Sequence, residues 1–207
     1  MNFKNFILAL VTSSIWGSSF LMIKYSLEEL NPSDIAIYRI LIGALFINIF
    51  VRAKENIIKT DNVKIFIISF FWMALPFYMF GIAEQTITSS LAGLINGSTP
   101  IFISLIAVLV FKDKILKKQV TYLITGFIGI YFVSFGFSNA FEDFNLGAML
   151  ALLASVSYGF AANIVQSLIK EYGSLQTLKI ALRYATVISF ILSTINSSLS
   201  VPTYDIS

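Results

Sequence analysis

Residues 5–23 read NFILALVTSSIWGSSFLMI, nineteen positions without a Lys, Arg, Asp or Glu. A helix rises about 1.5 Å per residue, so roughly 20 residues cross the ~30 Å of hydrocarbon in a bilayer, and this stretch is long enough to span. Charge-free windows recur over 65–83, 85–111, 119–141, 144–169 and 184–204, and the apolar run 35–52 is interrupted only by Arg39. The pattern predicts seven membrane-spanning helices, near 5–27, 35–52, 63–84, 88–111, 119–137, 146–169 and 178–195. Short loops join them, and Asn31, Pro32, Ser33 and Asp34 supply turn and cap chemistry before the second. Lys4 followed by an apolar run resembles the start of a signal peptide. The run continues to Ile23 with no small-residue cleavage site, so the first helix is expected to stay.

Composition agrees with this reading. The chain is 57% hydrophobic and 12% charged, with a mean hydropathy of +0.84, whereas a soluble domain carries about a quarter charged residues. Too few charges remain to cover a globule, so lipid is the expected partner for much of the surface. The absence of Cys and His excludes disulfides and thiolate chemistry, and it removes the usual metal ligand and neutral-pH proton carrier. No metal, no cofactor and no enzymatic activity are expected. An intramembrane serine peptidase needs a His base, and a metallopeptidase needs His or paired acids on helices.

The net charge of +3 is resolved by its distribution. Lys4, then Arg52, Lys54, Lys59 and Lys64, then Lys112, Lys114, Lys117 and Lys118, then Lys170, Lys179 and Arg183 fall on one side of the predicted spans. These are 12 of the 14 cations, and only Lys24 and Arg39 fall on the other. Cytoplasmic loops collect Lys and Arg, so the N-terminus is expected inside and the C-terminus outside. Basic inner loops account for the charge, and no nucleic-acid partner is expected. The same orientation argues against a seven-helix receptor, which requires an outside N-terminus.

Polar and helix-breaking residues gather at mid-depth. The midpoints of the first, third, fourth and sixth spans fall near residues 16, 74, 99 and 158, where Trp16-Gly17, Trp72 with Pro76, Asn96 to Pro100, and Tyr158-Gly159 stand. Trp and Tyr favour the membrane interfaces. Pro76 and Pro100 release the carbonyls of Trp72 and Asn96 from their helical bonds, and such groups must face protein or water. Ser89, Gly93, Asn96 and Pro100 share one stripe of the fourth span. The set admits two readings, a wet or solute-filled midplane cavity or close helix packing at small residues. Near the outer boundary stand Lys24, Arg39 and Glu84. Arg39 lies about 6 Å inside its span and needs a partner. An Arg39–Glu84 bridge is one reading, and a gate or ammonium site at Glu84 is the other.

Shifting the sequence by 142 residues lays the first span on the sixth. Ser13, Trp16 and Gly17 fall on Ser155, Tyr158 and Gly159, Lys24 falls on Gln166, and Arg39 meets Arg183 after a two-residue insertion. An odd number of helices between copies inverts the second copy in the membrane, so an inverted-topology repeat is expected.

These residues resemble the EamA-like branch of the drug/metabolite transporter superfamily. Ile15-Trp16-Gly17-Ser18-Ser19-Phe20 with Lys24, Pro32 and Arg39 is similar to that family's opening signature. Ala83-Glu84-Gln85 is similar to one subgroup. Ser90 to Ile95, followed by Pro100 and Asp113, also matches, with Asp where the family usually has Glu. Gly126-Phe127-Ile128-Gly129 and Gly136 complete the pattern. The resemblance implies ten helices in two inverted five-helix repeats around a central cavity, in a bacterial cytoplasmic (inner) membrane. It implies export or exchange of amino acids or similar metabolites by alternating access, and indole and amide groups suit such amphipathic solutes. Carried onto this chain, it places Trp16, Trp72, Asn96 and Tyr158 on the cavity and Lys24, Arg39 and Glu84 at the outer gate.

The expectation is an all-α polytopic bundle of about seven transmembrane helices with a cytoplasmic N-terminus. Residues 1–140 form the first repeat, and 141–207 begin the second with two helices, 196–207 being an outer loop. Seven helices against the family's ten read as a truncated chain. Its expected partners are the bilayer, a small-molecule solute and a second chain completing the bundle. The alternative is an orphan membrane subunit without transport of its own.

Overall fold

The computed structural model describes residues 2–52, 59–114, 117–135 and 145–195. Along the chain stand α1 (Phe3–Ser26), α2 (Pro32–Phe50), α3 (Lys59–Ser69), a π-helical turn (Phe70–Ala74), α4 (Leu75–Ala83), α5 (Ser89–Gly97), α6 (Thr99–Leu109), α7 (Lys117–Phe135), α8 (Leu146–Tyr172) and α9 (Ser174–Ile195). They form seven rods, because α3, the π-turn and α4 run on as one, and α5 continues into α6. Six rods are long and apolar enough to cross a membrane. The seventh, α7, begins with Lys117, Lys118 and Gln119, which lowers its hydropathy. No strand occurs among the described residues, and the chain is an all-α multi-pass membrane protein. The expected loop 196–207, Gly136, Lys54 and the repeat boundary at 140 lie outside the described residues.

Local chemistry starts and stops these rods. Pro32 opens α2, where its missing N–H costs nothing, with Asp34 in the first turn. Thr88 and Asn145 cap α5 and α8 by accepting from the backbone N–H groups of Leu91 and Ala148 at 3.2 and 3.1 Å. Gly173, with φ of 83°, ends α8 and lets α9 start at once.

The two mid-rod prolines act differently. Ahead of Pro76 the rod widens, and the N–H of Leu75 reaches back five residues to the carbonyl of Phe70. Pro100 lies just past an interruption of its rod. It occupies the first turn of α6, and the rod is broken at Ser98.

In lipid, helices associate through van der Waals contact and interhelical hydrogen bonds rather than through expulsion of water. The centre of the bundle is α8, which packs on α4, α5, α6 and α9, while α2 lies along α9, and α1 and α7 flank α5. Ala148, Ala151, Ala154 and Ala161 of α8 are buried, small enough for close approach. Against α6 the approach is close at Gly159, where a Cβ would stand 2.9 Å from the carbonyl carbon of Phe102 and 3.0 Å from the nitrogen of Ile103. One turn on, Asn163 Nδ2 donates to Ile103 O at 2.9 Å.

Polar contacts mark the two ends. At one, Tyr172 donates to Asp61 at 2.7 Å, Lys64 pairs with Asp61 at 2.5 Å, and Lys179 reaches Val51 O at 3.4 Å. At the other, Lys24 Nζ donates to the carbonyls of Glu84 and Ile87 at 2.5 and 3.2 Å, and Asn145 Nδ2 donates to Thr86 O at 3.3 Å. The turn over 84–87 thus meets both the end of α1 and the start of α8, so these helices run in opposite directions.

Candidate functional site

A cavity of about 460 Å³ opens midway along α1 and α8, within the size range of small-molecule pockets. Its wall carries Thr12, Ile15, Trp16 and Ser19 of α1, Arg39 of α2, Trp72 and Met73 of the π-turn, Phe77 of α4 and Tyr158 of α8. Trp16, Trp72 and Tyr158 therefore come together at one space. Trp16 is 54% exposed, and a Cβ at its neighbour Gly17 would meet nothing within 4 Å.

Arg39 also lies on this wall. Its guanidinium carbon sits 4.4 Å from the centroid of the Phe77 ring, a contact worth roughly 0.5–2 kcal/mol that uses none of its five N–H donors. The expected Arg39–Glu84 bridge does not form, and among the described residues the ion pair is Lys64–Asp61. Depth explains the miss. Glu84 caps the end of α4, whereas Arg39 is seven residues beyond the start of α2 at Pro32, about 10 Å along its axis.

Glu84 is fully buried and off the cavity wall. The Ser89 hydroxyl lies beside its carboxyl but does not reach hydrogen-bonding geometry with either oxygen. Lys24 does not pair with that carboxyl. It ties the end of α1 to the backbone of the following turn.

Asn96 is brought elsewhere. It is 8% exposed at the end of α5, off the cavity wall, and its Oδ1 has no hydrogen-bond partner. Thr99 Oγ1, just past the break, is likewise unpartnered. The nearby carbonyl of Ile95 is served by Ser98 at 2.5 Å and by Ser155 of α8 at 3.2 Å. Gly159, which the 142-residue shift lays on Gly17, is a packing residue and is not on the cavity wall.

Several wall residues escaped the sequence reading. Thr12, Ile15 and Ser19 stand four before, one before and three after Trp16, so laying the face of Trp16 on a helical wheel recovers Thr12 and Ser19. Met73 and Phe77 have no such signal. Trp72 and Phe77 are five positions apart, a spacing that a π-turn brings to one side and ordinary helical spacing does not. Ser157 was also missed. It donates to Phe71 O at 2.7 Å and satisfies a carbonyl of that turn. Among the described residues, no group of three or more His, Cys, Asp or Glu could hold a metal ion.

Over residues 4–135 the chain matches the EamA-like transporter family. It is similar to an uncharacterized transporter of Archaeoglobus fulgidus, with 24% identity over 82% of this chain and 60% of the relative. A second from that organism is 32% identical over 73% of this chain and 45% of the relative. The uncharacterized transporter YdfC of Bacillus subtilis is 26% identical over 77% and 52%. The chain thus spans between 45% and 60% of the length of these relatives. No solved structure matches it. The matched residues carry the whole cavity wall except Tyr158, and the chain belongs to the EamA-like transporter family.

Proposed function

We propose that the chain is the solute-binding part of a secondary transporter that exports or exchanges small, amino-acid-like metabolites by alternating access. The observation that carries this is the cavity midway along the spans, walled by two indoles, a phenol and a guanidinium, groups that a purely lipid-facing or purely packed position would not favour. The rod carrying Trp72 contains the π-turn and the neighbouring rod is broken at Ser98, and such irregularities are where a helix bends when a site changes access.

The loop charges support a cytoplasmic N-terminus in a bacterial cytoplasmic membrane. The opposite directions of α1 and α8 support an inverted repeat over 1–140 and 141–207. In this reading Lys24 and Glu84 belong to the outer gate, where Lys24 holds the turn over 84–87. The matched stretch covers 45% and 52% of two relatives, and a second chain is proposed to supply the rest of the wall.

Counterflow of radiolabelled amino acids in proteoliposomes tests the proposal. Flux from the full chain that is lost in Trp72→Ala and kept in the outward-facing Val156→Ala is the expected result. Absence of flux from the chain alone, restored by co-reconstitution with a partner, would favour the subunit reading.

A further inference from the structure

Arg39 stands out on the cavity wall. Among the described residues of the wall it is the one charged side chain, it rests on the face of Phe77, and it makes no hydrogen bond or ion pair with the described residues. The remaining polar groups of the wall, the hydroxyls of Thr12, Ser19 and Tyr158 and the indole N–H groups of Trp16 and Trp72, are neutral, and no carboxylate is present among the described wall residues. The nearby acid, Glu84, is fully buried off that wall, so its carboxyl makes no direct contact with an ammonium group in the cavity. A planar fork of donors that shares its wall with no carboxylate is matched by a ligand carboxylate, which two of its N–H groups can hold in parallel. In a low-dielectric site such a pair counts for far more than it does in water.

We infer that the cavity selects organic anions, with a carboxylate on Arg39 and the apolar body of the solute against Trp16 and Trp72, and that no amino group is required. This rests on the solute-cavity reading above and narrows it. A monocarboxylate without an ammonium binds, and the matching amine does not.

The chain reports on its own site, because Trp16 and Trp72 are its two tryptophans and both line the cavity. The full chain, purified in a neutral, phosphate-free detergent at pH 7, is titrated with 3-phenylpropanoate, 3-phenylpropanamide and 3-phenylpropylamine while tryptophan emission is followed. The carboxylate is expected to bind at least ~10-fold more tightly than the amide, roughly the discrimination one charged hydrogen-bonded contact supplies, and the amine to bind most weakly. Arg39→Gln should erase the difference between carboxylate and amide, and Arg39→Lys should keep part of it. If the amide or the amine binds as tightly as the carboxylate, the anion inference is overturned and the solute cavity stands. If none of the three changes the emission, both are overturned. Should Arg39→Gln fail to fold, the three titrations of the unaltered chain decide the matter alone.

Discussion

Gly17 and Gly159 occupy equivalent positions under the 142-residue shift, yet the structure assigns them opposite tolerances, which makes the pair a sharp test of the bundle. In Gly159→Ala the new methyl would stand 2.9 Å from the carbonyl carbon of Phe102 and 3.0 Å from Ile103 N. Both are backbone atoms, so α6 itself must move. Overpacking of this kind costs about 1–3 kcal/mol. Moving α6 also strains the bond from Asn163 to Ile103 O, and interhelical bonds in membranes average ~0.6 and reach ~1.7 kcal/mol. Against this, Ala gains about 1 kcal/mol in helix propensity over Gly. The net loss is then about 0.6–3.7 kcal/mol by the same magnitudes. In Gly17→Ala nothing lies within 4 Å, and the propensity gain of up to ~1 kcal/mol stands alone. Thermal unfolding of both variants in the same detergent, followed by tryptophan emission, measures the gap. At about 2–4 °C per kcal/mol for a chain of this size, Gly159→Ala should melt several degrees below Gly17→Ala. Equal melting temperatures, or the reverse order, would refute the contact between α6 and α8 on which the described bundle rests.

Three further outcomes follow from the geometry. Lys24→Met removes two charge-assisted bonds to the carbonyls of Glu84 and Ile87, a loss of about 1.5–3 kcal/mol each at most. Hydrogen exchange over residues 84–88 should quicken while the middle of α8 is unaffected, and unchanged exchange there would count against the tie. The chain has no cysteine, so single substitutions report access cleanly. Trp72→Cys and Tyr158→Cys should react with a membrane-impermeant thiol reagent in proteoliposomes, and Ile128→Cys on the exposed side of α7 should not; the opposite pattern would place lipid where the cavity is drawn. For orientation, Glu28→Cys should label from outside intact cells and Lys112→Cys only after permeabilisation, as the loop charges require; labelling of Lys112→Cys in intact cells would invert the topology.

The number, length and class of the rods were legible in the sequence, because a charge-free window long enough for the bilayer is a local property that lipid makes obligatory. The gathering of Trp16, Trp72 and Tyr158 was legible for a related reason, since aromatic groups with polar handles at mid-depth need company other than acyl chains. The partner of Arg39, the withdrawal of Asn96 from the cavity wall, the turn that brings Met73 and Phe77 to it, and the contrast between Gly17 and Gly159 were decided only by the tertiary structure. Each depends on the rotation and axial offset of one helix against another. Helical spacing defines which residues share a face, but which neighbour that face meets is set by packing among segments some 60 to 90 residues apart, as in Ser155 with Ile95 or Ser157 with Phe71.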